Sequence, residues 1–449
     1  MTRLFGTDGV RGLANVDLTA PLALELGEAA ARLTIQGRPA SGHKPKAIIG
    51  RDTRISGEFL DHALAAGLAS AGMDVVRVGV VTTPTVAHLT ASSSVDLGVM
   101  ISASHNPMPD NGIKFFAHGG YKLPDQVEDQ IQELLNTSWD RPTGAAVGEV
   151  EYDDDWAEKS YIEHLMTSLG TDLRGLRIAV DCANGGASFL APEAFRQAGA
   201  DAVVINAAPD GRNINDKAGS THPEQLQALT VASGADFGVA YDGDADRCLA
   251  VDRHGNLVDG DKIMGALAVH MRDEGQLAKD TLVVTVMSNL GLILAMQEAG
   301  IQTIQTGVGD RYVLEAMLEG GYSLGGEQSG HIIAKKYATT GDGILSSLLL
   351  ARMVKESGRD LADLTGFIKR LPQTLINVGG VDRTRAATDP TVAEAVAAAE
   401  AVLGNTGRVL LRPSGTEPLV RVMVEAATQA QADGVASRLA DVVKESLSL

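Results

Sequence analysis

The sequence predicts an α/β protein of three related α/β units with mixed sheets, followed by a C-terminal α+β domain, around a central cleft. Three observations lead to this fold class. The chain has 449 residues, which is too long for one ordinary domain. Short apolar runs that end at turn residues alternate with helix-like apolar periods. The order of strand, helix, Ala-Gly turn, strand and polar loop also occurs three times, which indicates related α/β units.

Each repeat begins with a short apolar run that is typical of a buried strand. The first strands lie in KAIIGRDTR (46–54), RIAVDCANGG (177–186) and LVVTVMSNLG (282–291). The second strands follow an Ala-Gly pair, in 71–79, 198–206 and 299–307. The third strands run into unusual polar loops, in 96–107, 236–247 and 322–331. Ligands of open α/β sheets bind beyond the carboxyl ends of strands, so we expect the three polar loops to face one shared space.

The region after Pro372 has a different pattern, which predicts the α+β domain. An Ala-rich helix and a final helix accompany three strand-like runs there. The polar stretch NTSWDRPTGAAVGEVEYDDD (136–155) is expected to be a linker. The predicted domains are therefore 1–155, 156–257, 258–372 and 373–449.

The formal net charge of −19 restricts the possible partners. Such a chain repels nucleic acid and anionic membranes, so neither is expected to bind. A phosphate-binding site must then be a local cluster of Arg, Lys and backbone N–H groups. Two cysteines, Cys182 and Cys248, lie in apolar runs, and they indicate no disulfide framework. The N-terminus has no apolar signal segment, and no run is long enough to span a membrane, so we expect a cytoplasmic protein.

The loop YDGDADR (241–247) contains the strongest local signal for chemistry. In an extended segment Asp242, Asp244 and Asp246 would share one face, with Gly243 and Ala245 between them. Three carboxylates on one face repel one another unless a cation lies among them. The alternative is an acidic surface turn. The apolar run before the loop favours burial and therefore a cation.

The residues after the cluster restrict which cation fits. A calcium loop of the D-x-D-x-D type needs Gly at its sixth position and Glu at its twelfth. This chain has Arg247 and Arg253 at those positions, which excludes the calcium loop. No His or Cys stands at zinc spacing around the aspartates. The hard oxygen ligands favour Mg²⁺, which usually shares its coordination shell with a phosphate.

The segment RPSGTEPLVR (412–421) is a candidate phosphate site. Arg412 and Arg421 flank a tight turn in which Ser414, Gly415 and Thr416 offer hydroxyl and consecutive N–H groups. Such a turn can form an anion nest, and the guanidinium fork suits phosphate oxygens. The alternative is a plain hairpin turn with two surface arginines.

A third polar loop, GGEQSGH (325–331), presents Glu327, Gln328, Ser329 and His331 among glycines. Polar groups on a permissive backbone suit a polyhydroxylated ligand such as a sugar, although such loops are common. The nearby TGVGDRY (306–312) lacks the third glycine of a dinucleotide fingerprint.

The pair Ser104-His105 first suggests a hydrolase nucleophile with its base. Hydrolase serines usually occupy G-x-S-x-G or use a base that is distant in the sequence. Side chains of adjacent residues rarely point at each other, so His105 is expected to be a poor base for Ser104. A helix N-cap role for Ser104 or Ser102 is another possibility. If the repeats align, Ser104 faces the three aspartates and can carry a phosphoryl group.

Together these motifs resemble the α-D-phosphohexomutase superfamily along the whole chain. The phosphoserine, metal, sugar and phosphate loops of the superfamily are similar to SASHNP (102–107), DGDADR (242–247), GEQSGH (326–331) and RPSGTEP (412–418). The four motifs also occur in the order found in the superfamily. This resemblance covers all four predicted domains.

Three shorter features resemble the branch of the superfamily that acts on glucosamine phosphates: FGTDGVRG (5–12), GDRYV (309–313) and Gln328. The resemblance implies interconversion of glucosamine 6-phosphate and glucosamine 1-phosphate, which supplies UDP-N-acetylglucosamine synthesis. Phospho-Ser104 would give its phosphoryl group to the sugar. The resulting glucosamine 1,6-bisphosphate, which is also the expected activator, would reorient and return a phosphate to the serine.

The resemblance also implies a role for each matching residue. Catalytic roles fall on Ser104, His105, Lys114 and Arg247. One Mg²⁺ per chain would be held by Ser104, Asp242, Asp244 and Asp246. Substrate binding falls on Glu327, Ser329, His331, Arg412, Ser414, Gly415, Thr416 and Arg421. Arg11 either lines the cleft or forms a structural salt bridge.

Two other functions compete with this interpretation. The same chemistry could act on glucose or mannose phosphates, as in a phosphoglucomutase/phosphomannomutase. The chain could instead be a sugar-phosphate-binding regulator without turnover, although the intact serine, aspartates and phosphate loop oppose this. The expected partners are a phosphosugar substrate and, in a homodimer, a second copy of the chain.

Overall fold

The chain forms two compact units. The computed structural model describes residues 3–6, 8–37, 44–414 and 419–449. The first unit comprises Met1–Met287 with Ile301–Gly366, and the second comprises Ser288–Gly300 with Phe367–Leu449. Among the described residues, no helix has both the length and the apolar character to cross a membrane.

The first sheet of the first unit has six strands. They are β1 (Val10–Leu13), β2 (Lys46–Arg51), β3 (Asp74–Val80), β4 (Leu97–Ile101), β5 (Asp110–Ala117) and β6 (Val150–Tyr152). Their order across the sheet is β1-β5-β4-β2-β3-β6. The pairs of β2 with β3 and β4 are parallel, whereas β5 returns antiparallel to β4.

Two more sheets complete the first unit. The second sheet contains β7 (Arg177–Asp181), β8 (Asp201–Ile205), β9 (Phe237–Tyr241), β10 (Cys248–Asp252) and β11 (Leu257–Val258). The third sheet contains β12 (Thr281–Thr285), β13 (Gln302–Thr306), β14 (Leu324–Gly326) and β15 (Ile332–Ala334). Their orders are β11-β10-β9-β7-β8 and β13-β12-β14-β15.

The α-helices of the described residues follow the apolar periods of the sequence. They are α1 (Ala20–Gly37), α2 (Ile55–Ser70), α3 (Thr83–Ser92), α4 (Asp125–Leu134), α5 (Asp154–Leu169), α6 (Ala187–Gln197), α7 (Glu224–Ser233), α8 (Gly260–Asp273), α9 (Leu290–Glu298), α10 (Asp310–Gly320), α11 (Gly343–Ser357), α12 (Leu361–Thr365), α13 (Pro390–Leu403) and α14 (Gln429–Ser446). Side chains cap several N-termini, as Thr82 does for α3 and Asp342 for α11.

The predicted threefold repeat is present in the three sheets. In each sheet the first strand of the repeat lies between the second and third strands, as in β3-β2-β4, β8-β7-β9 and β13-β12-β14. The third strand of each repeat ends in the polar loop, and an antiparallel strand then returns beside it, as β5, β10 and β15 do. The repeat therefore places the polar loops at equivalent ends of the three sheets, which confirms the predicted α/β class.

The expected linker over 136–155 contains a strand. β6 pairs parallel to β3 and forms the edge of the sheet, with Val150 opposite Val75. All three residues of β6 are exposed, and three residues are too few to show an alternating pattern. No sequence pattern therefore predicts this short edge strand.

The second unit contains the predicted C-terminal α+β region. Its strands are β16 (Gln373–Gly379), β17 (Arg408–Pro413) and β18 (Leu419–Glu425), in the antiparallel order β16-β18-β17. Alternate residues of β18, Val420, Val422 and Val424, are buried in the core that α14 completes. α9 also belongs to this unit, and Glu425 fixes its N-terminus by accepting hydrogen bonds from the Asn289 side chain and the Leu290 amide, both at 2.9 Å.

A stacked histidine pair between α3 and α5 gives the fold a predicted sensitivity to acid. The rings of His88 and His164 lie 4.2 Å apart with an interplanar angle of 20°. Burial, followed by the charge of His164, lowers the pKa of His88 to about 4. The unfolded chain therefore takes up a proton near pH 6.5 that the folded protein accepts only near pH 4. The stabilisation that depends on neutral His88 is therefore fully present above pH 6.5. It is lost as the pH falls through the folded-state pKa of about 4.

We expect the substitution His88→Phe, which keeps the stacked ring, to remove this part of the acid sensitivity. The free energy of unfolding of the wild type should fall by up to about 3 kcal/mol more than that of the variant between pH 7.5 and pH 4.5. Urea denaturation of both proteins at the two pH values measures the difference. Equal losses in the two proteins would show that His88 does not contribute.

Candidate active site

Three aspartates converge directly after β9. One carboxylate oxygen from each of Asp242, Asp244 and Asp246 lies within 4.8 Å of the others, and all three side chains are buried. The sequence predicts an extended segment here, but the loop turns, and Ala245 has a positive φ of 56°. The carboxylates are therefore brought together by a turn and not by the alternation of an extended strand.

The charge balance of the cluster favours a cation. Burial, followed by the charges of Asp246 and Asp244, raises the pKa of Asp242 to about 8. The Oδ1 atoms of Asp244 and Asp246 are buried and have no hydrogen-bond partner among the described residues. Buried carboxylate oxygens without a partner are costly, and a bound cation removes that cost. Three carboxylates form the hard, all-oxygen ligand set that fits Mg²⁺.

Ser104 lies beside these carboxylates, in the loop between β4 and β5. Its side chain is fully buried, and its Oγ donates a hydrogen bond to Asp242 Oδ2. The two loops approach closely because Gly243 has no side chain; a Cβ there would lie 2.5 Å from the carbonyl oxygen of Ser104. β5, not a helix, follows the serine loop, so the helix N-cap interpretation of Ser104 and Ser102 is wrong.

A buried arginine holds the serine loop in place. The side chain of Arg54 is fully buried and pairs with Asp52 at 3.0 Å. Its guanidinium also donates to the carbonyl oxygens of Ser104 (2.9 Å), Asn106 (2.8 Å) and Pro107 (2.5 Å). Sequence analysis did not predict that Arg54 and Asp52 support the serine loop. The available signal was the charged Asp-Thr-Arg that follows the buried strand β2, at the same place as the other polar loops.

The geometry of His105 differs from the expectation. His105 Nδ1 lies 3.4 Å from Ser104 Oγ, although neighbouring side chains were expected to point apart. The reason is the left-handed backbone of Ser104, which has a φ of 51°. His105 Nδ1 accepts a hydrogen bond from Arg247 Nη1 at 2.9 Å, so this nitrogen is occupied. Burial, followed by Arg247 and Arg11, lowers the pKa of His105 to about 4, which keeps the imidazole neutral.

Lys114 reaches the aspartate cluster from β5. Its Nζ lies 2.8 Å from Asp244 Oδ2, 3.0 Å from Asp8 Oδ2 and 3.8 Å from Asp246 Oδ2. Burial acts to lower the pKa of Lys114, but Asp244 and Asp8 hold it above its usual value. The ammonium group therefore stays charged and can stabilise a phosphoryl group or donate a proton, whereas it is a poor base.

The sugar loop connects β14 with β15. Glu327 Oε1 accepts from the Gly309 amide at 3.2 Å, while Ser329 is exposed. His331 is buried, with its Nδ1 3.6 Å from Asp246 Oδ2. The Gly341 amide donates to His331 Nε2 at 3.0 Å, so the proton of a neutral imidazole lies on Nδ1 and faces the aspartate.

Arg11 forms the structural salt bridge that was one of its two predicted alternatives, and its place in the cleft stays a prediction. Its guanidinium pairs with Asp8, and it also lies 3.4 Å from the carbonyl oxygen of Ala103 in the serine loop. Asp8, together with Lys122 and Asp310, belongs to a partly buried charge network that sequence analysis did not find. These three residues stand in separate polar segments, which gives no signal that they meet.

The candidate phosphate loop belongs to the second unit. Arg412 and Arg421 are directly opposite each other on β17 and β18, so their side chains share one face of the sheet. Like charges in this position are unfavourable, and a bound anion would offset their repulsion. The carbonyl oxygen of Ser414 accepts a hydrogen bond from Arg383, which sequence analysis did not include. The other two predicted residues, Gly415 and Thr416, lie outside the described residues.

Comparison with known proteins gives consistent matches along the whole chain. The phosphoglucomutase/phosphomannomutase family models match four segments in order: alpha/beta/alpha domain I over 2–141, domain II over 159–255, domain III over 259–371 and the C-terminal domain over 375–442. The phosphoglucosamine mutase of Bifidobacterium animalis subsp. lactis is 60% identical over 454 residues. That of Streptomyces coelicolor is 59% identical over 452 residues. Each alignment covers 100% of both chains.

Solved structures share the fold. A phosphoglucomutase/phosphomannomutase family protein from Burkholderia thailandensis has a TM-score of 0.81 and 27% identity, and the match covers 99% of this chain and 98% of that one. The Aspergillus fumigatus N-acetylphosphoglucosamine mutase, solved in complex with GlcNAc-6P and magnesium, has a TM-score of 0.69 and 19% identity. That match covers 99% of this chain and 96% of the fungal one.

Proposed function

We infer that this chain, which belongs to the phosphoglucomutase/phosphomannomutase family, interconverts glucosamine 6-phosphate and glucosamine 1-phosphate. The observation that carries the proposal is the buried hydrogen bond from Ser104 Oγ to Asp242 within the aspartate cluster. A serine at this place can carry a phosphoryl group next to a cation site. Identity of 60% with a phosphoglucosamine mutase over the full length of both chains supports an amino sugar as the substrate.

The reaction is a phosphoryl transfer in two halves. In the first, the bond from phosphorus to Ser104 Oγ breaks and a bond to O1 of glucosamine 6-phosphate forms; the O1 hydroxyl loses its proton and the serine regains one. Glucosamine 1,6-bisphosphate then turns around in the site. In the second half, the bond from phosphorus to O6 breaks and a bond from that phosphorus to Ser104 Oγ forms; the serine hydroxyl loses its proton, O6 gains one, and glucosamine 1-phosphate leaves. Positioning and charge stabilisation supply most of the catalysis in such transfers.

Three neighbouring groups provide this stabilisation in our proposal. The charged ammonium of Lys114 faces the transferring phosphoryl group and can donate a proton to an oxygen of the bond that breaks. Arg247 contributes a second positive charge, and His105 Nδ1 fixes its guanidinium by accepting from Nη1 at 2.9 Å. Since that nitrogen already accepts a hydrogen bond, we propose that the neutral His105 orients the guanidinium of Arg247 and does not remove a proton.

The cation and substrate sites complete the proposal. Ser104, Asp242, Asp244 and Asp246 would hold one Mg²⁺ per chain, and the ion would neutralise charge on the phosphoryl oxygens. Glu327, Ser329 and His331 would contact the sugar. The phosphate that is not being transferred would be bound by Arg412, Ser414, Gly415, Thr416 and Arg421.

The test is a comparison of substrates. With glucosamine 1,6-bisphosphate as activator and Mg²⁺ present, we expect kcat/KM for glucosamine 6-phosphate to exceed that for glucose 6-phosphate or mannose 6-phosphate by at least about tenfold. Faster turnover of glucose or mannose phosphates would favour the phosphoglucomutase/phosphomannomutase alternative. Binding of glucosamine 6-phosphate with no turnover of any of the three would favour a regulator. The cytoplasmic location and the homodimer stay predictions, and gel filtration with light scattering measures the latter.

A further inference from the structure

A row of alternating charges extends from the aspartate cluster to the start of α10. Its members are, in order, Asp246, Lys114, Asp8, Lys122 and Asp310. Lys114 Nζ lies 3.8 Å from Asp246 Oδ2 and 3.0 Å from Asp8 Oδ2. Lys122 Nζ lies 2.5 Å from Asp8 Oδ1 and pairs with Asp310 Oδ2. Only 12% of the Lys122 side chain is exposed, so these contacts are weakly screened by solvent.

Lys122 lies between two carboxylates that would otherwise repel each other. Burial acts to lower the pKa of Lys122, but Asp310 and Asp8 hold it above its usual value. Burial acts to raise the pKa of Asp8, but Lys114 and Lys122 hold it well below its usual value. Each oxygen of Asp8 therefore has its own ammonium group: Oδ1 contacts Lys122 and Oδ2 contacts Lys114.

Asp8 matters because the other counter-charges of Lys114 belong to the cation site. Asp244 Oδ2 accepts from both Lys114 and Thr83, while Oδ1 has no partner among the described residues and is available to a cation. A cation on these aspartates competes with Lys114 for their negative charge. Asp8 then remains the carboxylate that fixes the Lys114 ammonium, and it is oriented by Lys122 at Oδ1 and by Arg11 at Oδ2.

The GDRYV motif (309–313) supplies the second carboxylate that contacts Lys122, in addition to Asp8. Asp310 is the first residue of α10, and Arg311 donates to the carbonyl oxygen of Leu123 at 3.1 Å. The Gly309 amide in the same motif donates to Glu327 of the sugar loop at 3.2 Å. The motif thus connects the sugar loop with Lys122 through three consecutive residues, a function that the proposed reaction leaves unassigned.

We propose that Lys122 is a positioning residue for the phosphoryl transfer: with Asp310, it orients Asp8 so that Asp8 keeps the Lys114 ammonium in place. The proposal rests on the proposed function. Lys122 itself touches neither substrate nor the reacting atoms in this mechanism. Its loss should therefore affect the transition state, where Lys114 acts, more than the binding of substrate.

The test uses the substitutions Lys122→Met, Asp310→Asn and their combination in the full chain. We expect Lys122→Met to lower kcat for glucosamine 6-phosphate at least about tenfold while KM stays within about threefold of wild type. The rate at which phospho-Ser104 transfers its phosphate in a single turnover should fall by the same factor. Asp310→Asn should lower kcat to a smaller extent, and kcat of the double variant should be no lower than that of Lys122→Met, because Asp310 reaches Asp8 through Lys122. Asp310 also lies 3.7 Å from His331 Nε2, and the loss of that contact should appear in KM.

Arg77→Met is the matched control. Arg77 forms a bidentate pair with the buried Asp61, at 2.9 and 2.8 Å. It lies on β3, which β2 separates from β4 and the serine loop, so its loss should lower the thermal midpoint and leave kcat at 25 °C unchanged. A folded Lys122→Met variant with kcat within threefold of wild type would overturn the proposal. A double variant whose loss in kcat equals the product of the losses in Lys122→Met and Asp310→Asn would also overturn it. If Lys122→Met does not fold, unchanged kcat in the isosteric Asp310→Asn variant overturns it instead. An inactive wild type would refute the proposed function itself.

Discussion

The substitution Ser104→Ala should abolish turnover of glucosamine 6-phosphate. The hydroxyl is the only group of this residue that can form the phosphate ester, and its Oγ already contacts Asp242 of the aspartate cluster. Losing a covalent nucleophile removes the reaction path and not merely one contact, so we expect kcat to fall by about 10³-fold or more. Coupled assays for glucosamine 1-phosphate measure the loss.

The same variant should also lose a specific chemical label. Mass spectrometry of the wild type, after incubation with glucosamine 1,6-bisphosphate, should show one added phosphate of about 80 Da on the peptide that contains Ser104. Ser102→Ala is the control within the same loop. Ser102 accepts from the Ser104 amide at 2.9 Å and donates to Asp52 at 2.6 Å, so its loss should slow the enzyme but leave the label in place. Full activity in Ser104→Ala, or a label that moves to Ser102, would contradict the carrier role.

The repeated fold could be predicted because its signal is local. Each repeat contains a short, fully buried parallel strand, and such strands appear in the sequence as continuous apolar runs with turn residues at both ends. The catalytic loops follow those strands directly, so their position at the ends of the sheets needs no knowledge of tertiary contacts. β6 shows the limit of this reasoning, since three exposed residues at a sheet edge carry no periodic pattern.

The site could be predicted only where its residues stand in one short motif. The alternating spacing of Asp242, Asp244 and Asp246 predicts a cation site, although the loop turns at Ala245 where an extended segment was expected. No such motif contains Arg54 with the serine loop or Lys122 with its carboxylate partners, because these partners are about fifty to two hundred residues away in the chain. The contact between Ser104 and His105 depends on a left-handed φ, which serine rarely adopts and which no sequence pattern indicates here.

The substitution Asp242→Asn should have the second-largest effect. It removes one of three carboxylates from the proposed cation site and also the acceptor of the Ser104 hydroxyl. We expect at least about 100-fold lower kcat at saturating Mg²⁺, which corresponds to about 2.7 kcal/mol of transition-state stabilisation. The Mg²⁺ concentration for half-maximal activity should rise at least about tenfold. Activity measured over a Mg²⁺ titration, after removal of bound metal with EDTA, gives both quantities.

Asp252→Asn separates metal binding from the general cost of losing a buried carboxylate. Asp252 is also buried in the second sheet, but its oxygens cap a turn by accepting from the amides of His254 and Asn256, both at 2.9 Å. This control should lower stability without changing the Mg²⁺ requirement, because it leaves all three clustered carboxylates in place. If Asp242→Asn shifted the Mg²⁺ titration no more than Asp252→Asn does, the cluster would not be the cation site. The Oδ1 atoms of Asp244 and Asp246, which accept no hydrogen bond from the described residues, would then need a different ligand, since buried carboxylate oxygens without a hydrogen bond are costly.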